Sequence, residues 1–125
     1  MRFFFSTFLL FASLCAFAQS GLESSVAQRS VADSLTAALR SSQGRERVDL
    51  LERLAFEYRF SKPEQALAYI RQGMHLADSA NYEAGKAKIF SLLGIIKKAR
   101  GKYDSAVYYY EKALALERKL GNAAA

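Results

Sequence analysis

Tryptophan is absent from the 125-residue chain, and Cys15, Pro63 and His75 are each the only residue of their kind. One cysteine forms no disulfide framework, so any fold must hold through packing. A single histidine beside a single cysteine leaves no recognisable Ser-His-Asp or Cys-His set. Metal ligands would have to be carboxylates. The glycines lie far apart, so there is no glycine-rich phosphate loop. His75 sits mid-helix among Gly73, Met74 and Leu76 and reads as a surface or boundary residue. The acidic residues are spread along helical patterns as solvated faces. We expect no enzyme, no cofactor, and neither catalytic nor metal-ligating residues.

Long apolar runs are also scarce, with one exception. Met1-Arg2 precedes an apolar stretch from Phe3 to Phe17, then Ala16-Phe17-Ala18 before Gln19. A short basic start, an apolar run and a small-x-small site describe a secretory signal peptide cleaved after Ala18. The run falls short of the roughly 20 residues that span a bilayer. Leu14 stands before Cys15, where a lipoprotein needs a small residue. The expected product is exported, periplasmic or secreted, with no stable membrane span after cleavage. Cleavage would remove Arg2 and Cys15, leaving 17 basic against 12 acidic residues, a net charge of +5. Basic residues cluster with tyrosines around Lys97, Lys98, Arg100, Lys102 and Tyr103. Such a mixture can bind nucleic acid, but export and the preference of cations for helix C-termini argue against it. An anionic partner or a lipid surface fits better.

The remainder reads as helices. Residues 19–29 form a loose polar segment. Ser30-x-x-Asp33 has cap spacing, and Val31, Leu35, Ala38 and Leu39 make a short apolar stripe, so 30–42 reads as a capping helix. Ser41-Ser42-Gln43-Gly44 breaks it. Val48, Leu51, Leu54, Ala55 and Tyr58 predict a helix over about Arg45 to Phe60. Ser61-Lys62-Pro63-Glu64 predicts a start, with serine as the cap and glutamate reaching back. Ala66, Leu67, Ile70, Met74 and Ala77 carry that helix to about Ala80, where Asn81 takes a left-handed turn. Ile89, Phe90, Leu93 and Ile96 predict the next helix, stopped by Gly101. Ala106, Val107, Tyr110, Ala113 and Leu114 predict the last, stopped at Gly121-Asn122. Connections this short make antiparallel hairpins. Gly94, mid-helix, suggests close helix approach, with Ala106 and Ala113 opposite.

These residues resemble the tetratricopeptide repeat. Phe90, Leu93 and Gly94 fit the motif's first helix, while Ala106, Tyr110 and Ala113 fit its second. Ala55, Tyr58 and Ala66 answer them one repeat earlier. Lys97 replaces an expected aromatic, and Arg118 an expected proline. Ala66 and Ala106 are 40 residues apart, as are Ile70 and Tyr110; Leu54-Ala55 and Leu93-Gly94 are 39 apart, which implies a first turn one residue shorter. The period exceeds the usual 34, as in exported and membrane-anchored bacterial relatives. The resemblance covers Arg45 to Leu120. It implies an all-α fold, a short right-handed solenoid of stacked antiparallel hairpins behind the capping helix. Repeats 43–81 and 82–121 would be followed by a tail, 122–125.

The resemblance also implies a concave groove lined by the first helix of each hairpin. By spacing, that face carries Asp49, Glu52, Arg53, Phe56 and Arg59, then Lys88, Ser91, Leu92, Ile95 and Lys98. Charges flanking Phe56 and Ile95 suit an extended peptide or partner helix. Some relatives hold a C-terminal carboxylate with a lysine–asparagine clamp; Ser91 and Ile95 occupy those places, so that activity does not carry over. The expected function is a non-enzymatic interaction module binding a peptide or partner protein. The alternative is a truncated or degenerate sensor portion of a repeat-containing bacterial signalling receptor, kinase or transcription regulator. On the last helix the apolar residues cover about half the circumference, wider than a helix covered on one side needs. Terminal units of a repeat stack are normally polar outside. Val107, Tyr110 and Leu114 are therefore expected to form an exposed patch through which the protein self-associates or takes a partner.

Overall fold

The computed structural model describes residue 29 and residues 31–124, with the side chains of 122–124 excepted. The expected signal peptide 1–18, nearly all of the loose segment 19–29 and the cap residue Ser30 lie outside the described residues. The chain divides into two compact units, 1–34 and 35–125. The described structure is all-helical. Helix α1 covers 31–41, followed by α2 (Gly44–Tyr58), α3 (Pro63–Ser79), α4 (Glu83–Ala99) and α5 (Tyr103–Ala124).

In α1 the stripe is turned from the expected one. Ala32 and Leu35 are buried and Leu39 is half-buried, whereas Val31 and Ala38 face solvent. Residues 32, 35 and 39 share one helix face, so the small Ala32 rather than the branched Val31 lies on the inner side. The carbonyl of Leu39, an orphan at the helix end, accepts from Ser42 Oγ at 2.9 Å and from Arg47 Nη1 at 2.6 Å. Gly44, at φ +60, opens α2.

The helices pair as hairpins. Helix α2 packs closely on α3, and α4 on α5; α4 also rests on α3 and α2. Pairings across each turn show the directions. Gly94, near the α4–α5 turn, meets Tyr110, whereas Glu83, far from it, meets Lys119 at 4.0 Å. Helices α4 and α5 therefore run antiparallel. Gly73 meets Ile89 and Asp78 meets Lys86, so α3 and α4 are antiparallel too. Leu51 meets Gly73 and Tyr58 stacks on Tyr69, so α2 and α3 are antiparallel as well; α2 and α4 therefore run parallel, with Val48 against Gly85 and Asp49 against Lys88.

The core lies between these helices. Val48, Leu51, Leu54 and Ala55 from α2, Ala66, Ile70 and Ala77 from α3, and Ile89, Leu92 and Ile96 from α4 are buried. Fully burying one such aliphatic side chain contributes roughly 1.5–3 kcal/mol. No buried side-chain nitrogen or oxygen among the described residues lacks a hydrogen-bond partner. Among the described side chains of α5, only Ala106 and Ala113 are buried apolar residues. Phe90 and Leu93 are half-buried, and Phe90 stacks on Tyr109 with ring centroids 6.2 Å apart.

Two of the expected turns share one geometry. Asn81 (φ 51) and Gly101 (φ +73) are left-handed. After α3, Tyr82 N–H donates to Ala77 O at 2.9 Å and Asn81 N–H to Asp78 O at 3.3 Å; after α4, Lys102 N–H donates to Lys97 O at 2.9 Å and Gly101 N–H to Lys98 O at 3.0 Å. Both are Schellman motifs, which satisfy the last carbonyls while reversing the chain.

Several local expectations are corrected. Ser61 does not cap α3: Lys62 is the N-cap, without a side-chain cap bond, and Pro63 occupies the first turn. Proline at the helix start leaves one orphan N–H fewer to satisfy, and Glu64 turns away to pair with Arg100 at 2.9 Å. The first hairpin is not shorter in its turn. Its turn is residues 59–62 against 100–102 in the second, and the missing length comes from α2, which ends at Tyr58. Gly121-Asn122 does not stop α5, which continues to Ala124. A glycine lowers helix propensity by about 1 kcal/mol but ends a helix only where a left-handed cap forms. The space beside Gly94 is filled by the Tyr110 ring, not by Ala106 or Ala113; a Cβ there would sit 2.6 Å from the ring edge.

Candidate functional site

The parallel pair α2 and α4 carries the expected groove residues, and the structure divides them into two parts. At the N-terminal end of α2 the charges satisfy one another. The Tyr82 hydroxyl donates to Asp49 Oδ1 at 2.9 Å, and Lys88 Nζ lies 3.8 Å from the same oxygen. Arg45 sits over the Tyr82 ring, 5.2 Å from its centroid. Burial pushes the Tyr82 hydroxyl pKa up, and its hydrogen bond to Asp49 reinforces the shift. One turn on, burial pushes the Glu52 carboxyl up, with Asp49 adding and Lys88 and Arg53 opposing. Here Tyr82 and Lys88, both reaching Asp49, act as a bracket holding α2 beside α4.

At the C-terminal end of α2 the surface is aromatic and cationic. Phe56 is 40% exposed and Phe60 62% exposed. The Arg59 guanidinium lies 3.6 Å from the Phe56 ring centroid and 4.5 Å from that of Phe60, while its Nη1 donates to Phe56 O at 2.6 Å. Arg59 thus caps the end of its own helix and holds two aromatic rings at the surface. An exposed cation–π contact contributes about 0.5–1 kcal/mol. Arg53 and Lys98 are exposed, and Ser91 and Ile95 are half-buried. Leu92 is a correction. Spacing puts it on the groove face, but it is 1% exposed and belongs to the core. Helix α4 packs on both α2 and α3, so its buried stripe is wider than one face.

Two residues of this surface are missing from the sequence reading as site residues, Tyr82 and Phe60. Tyr82 carries no local site signal, because its partner Asp49 is 33 positions away. Phe60 has a local signal, an arginine flanked by Phe56 three before and Phe60 one after.

A second depression, of about 410 Å³, lies between α3, α4 and α5, lined by Met74, Asp78, Glu83, Lys86, Phe90, Lys112, Ala115 and Leu116. Lys86 is paired with Asp78 there, which raises the lysine's pKa. Lys112 sits over the Phe90 and Tyr108 rings. His75 is exposed. Among the described residues no group of His, Cys, Asp or Glu is arranged to hold a metal ion, and no helix is long and apolar enough to cross a membrane. Comparison with protein-family models, with curated proteins and with solved structures finds no match.

Proposed function

We propose that this chain is an exported, non-enzymatic interaction module of tetratricopeptide-like hairpins that binds an anionic peptide or partner protein across α2 and α4. The observation that carries this reading is the exposed cluster of Phe56, Arg59 and Phe60 at the C-terminal end of α2, the helix that packs beside α4. Exposed aromatics fixed by an arginine offer contact area at little entropic cost, and aromatic and arginine side chains are the usual anchors of binding surfaces. The ion-paired end gives the two helices a fixed spacing. The other end offers apolar contact flanked by Arg53 and Lys98 for a carboxylate. The helix order and the two left-handed turns support a repeat architecture, and the pattern at residues 1–18 supports export.

Selection of random peptides against the immobilised protein tests the reading. Enriched peptides should carry an apolar residue near an Asp or Glu, and should lose binding to Phe56→Ala and to Lys98→Glu. Enrichment that is indifferent to both variants, or none at all, overturns it.

A further inference from the structure

The outer face of α5 is not covered by α2, α3 or α4. Among helices α2–α5, α5 packs on α4 alone, through the side carrying Ala106, Tyr109, Ala113 and Leu116 and through one edge of the Tyr110 ring, which lies over Gly94. About a third of a turn away runs another stripe at four- and three-residue steps: Tyr103, Val107, Tyr110 and Leu114, which are 65%, 54%, 37% and 44% exposed. Along one edge of that stripe lie Asp104, Glu111 and Arg118, each seven residues from the next. All three are exposed, and their side chains form no ion pair or hydrogen bond with another described residue.

This order of residues is its own complement when reversed. Two copies of α5 laid antiparallel about a twofold axis bring the same edge of each helix together. With the axis near Tyr110 and Glu111, Val107 falls opposite Leu114 of the second copy and Leu114 opposite Val107. Within one residue of that register, about 1.5 Å of helix rise, Asp104 falls beside Arg118 at both ends. A parallel pair would set Asp104 against Asp104 and Arg118 against Arg118, so charge selects the antiparallel arrangement. One unfavourable contact remains, since Glu111 faces its own copy at the centre.

We propose that the Tyr103–Leu114 face of α5 docks a second copy of this chain, forming an antiparallel dimer in which Val107 packs on Leu114 and Asp104 pairs with Arg118. This site is separate from the α2–α4 surface, and the dimer would leave the Phe56–Arg59 cluster of each copy open.

Analytical ultracentrifugation of the protein, in the form the cell processes it, reads the dimer directly. The wild-type protein should be dimeric at micromolar concentration. Leu114→Glu should shift it to monomer while keeping its helical circular dichroism. Asp104→Arg alone and Arg118→Asp alone should each weaken the dimer about tenfold, because each disturbs both symmetric pairs, at roughly 0.2–1 kcal/mol for every exposed pairing lost. The double reversal Asp104→Arg with Arg118→Asp should restore the wild-type constant, which a merely structural role would not do. Glu111→Gln should tighten the dimer. A monomeric wild-type protein overturns the proposal, as does a dimer that ignores Leu114→Glu or a double reversal that restores nothing. Should Leu114→Glu not fold, the charge reversals decide alone.

Discussion

Helices α3 and α5 carry the same pattern forty residues apart and end up in opposite environments. Ala66 matches Ala106, Leu67 matches Val107, Ile70 matches Tyr110, Gly73 matches Ala113 and Met74 matches Leu114. The small residues are buried in both helices. The large ones are not treated alike. Ile70 is 3% exposed against 37% for Tyr110, and Leu67 and Met74 are half-buried where Val107 and Leu114 face solvent. The cause is a neighbour: α3 is covered on one side by α2 and on the other by α4, while among these helices α5 meets α4 only. An apolar stripe states a capacity for burial, and the next helix in the stack decides whether that capacity is used.

The largest predicted effect contrasts equivalent stripes. Ile70→Ala should cost about 2–5 kcal/mol, as truncation of a fully buried aliphatic residue does. Leu114→Ala should change the stability of the monomer by no more than about 0.5 kcal/mol. Urea titration at a concentration below dimer formation measures both; comparable losses would break the contrast.

Gly94→Leu comes next, at about 1–3 kcal/mol of overpacking against the Tyr110 ring. Tyr110 is partly exposed and can swing outward, so Gly94→Leu should cost much less in a Tyr110→Ala background. A double-mutant cycle by thermal melting reads that coupling. Additive costs would mean that Gly94 meets something other than this ring.

Much of the architecture is legible in the residues. Asn81 and Gly101 mark the turns, because a left-handed cap is a local demand that only a few residue types meet. Gly121 shows the limit of the same rule. It carries the stop signal but has open space around it and no turn to make, so the helix runs through. The groove is half legible. Asp49, Glu52 and Lys88 share a face by spacing, but Tyr82, which fixes Asp49, comes from another helix entry. Leu92 was misplaced because one-face periodicity does not describe a helix that packs on two neighbours.

The two glycines give a smaller test. Gly101→Ala should destabilise by about 1 kcal/mol, since alanine is strained at φ +73. Gly121→Ala should stabilise by up to about 1 kcal/mol, as expected in an exposed helix. Thermal melts that moved in the same direction would contradict the difference drawn between the two sites.

The smallest expected effect concerns Glu52. Its folded pKa is raised above the ordinary carboxylate value, mainly by burial. The folded state therefore holds this proton more tightly than the unfolded chain. Stability falls as pH climbs from the ordinary value through the raised one, and the penalty stays in full above it. Glu52→Gln should raise the melting temperature slightly at neutral pH and have no such benefit in acid below both values. A gain of equal size at both pH values would remove the titration from the explanation.

Peptide-resolved hydrogen exchange across a dilution series tests most directly whether α5 presents an uncovered face. In dilute protein α5 should exchange faster than α2, α3 and α4, because it is packed on one side only. In concentrated protein its protection should rise toward theirs, while the α2 surface around Phe56 stays unchanged. Protection of α5 that already equals the core helices in dilute protein and does not respond to concentration would contradict the account.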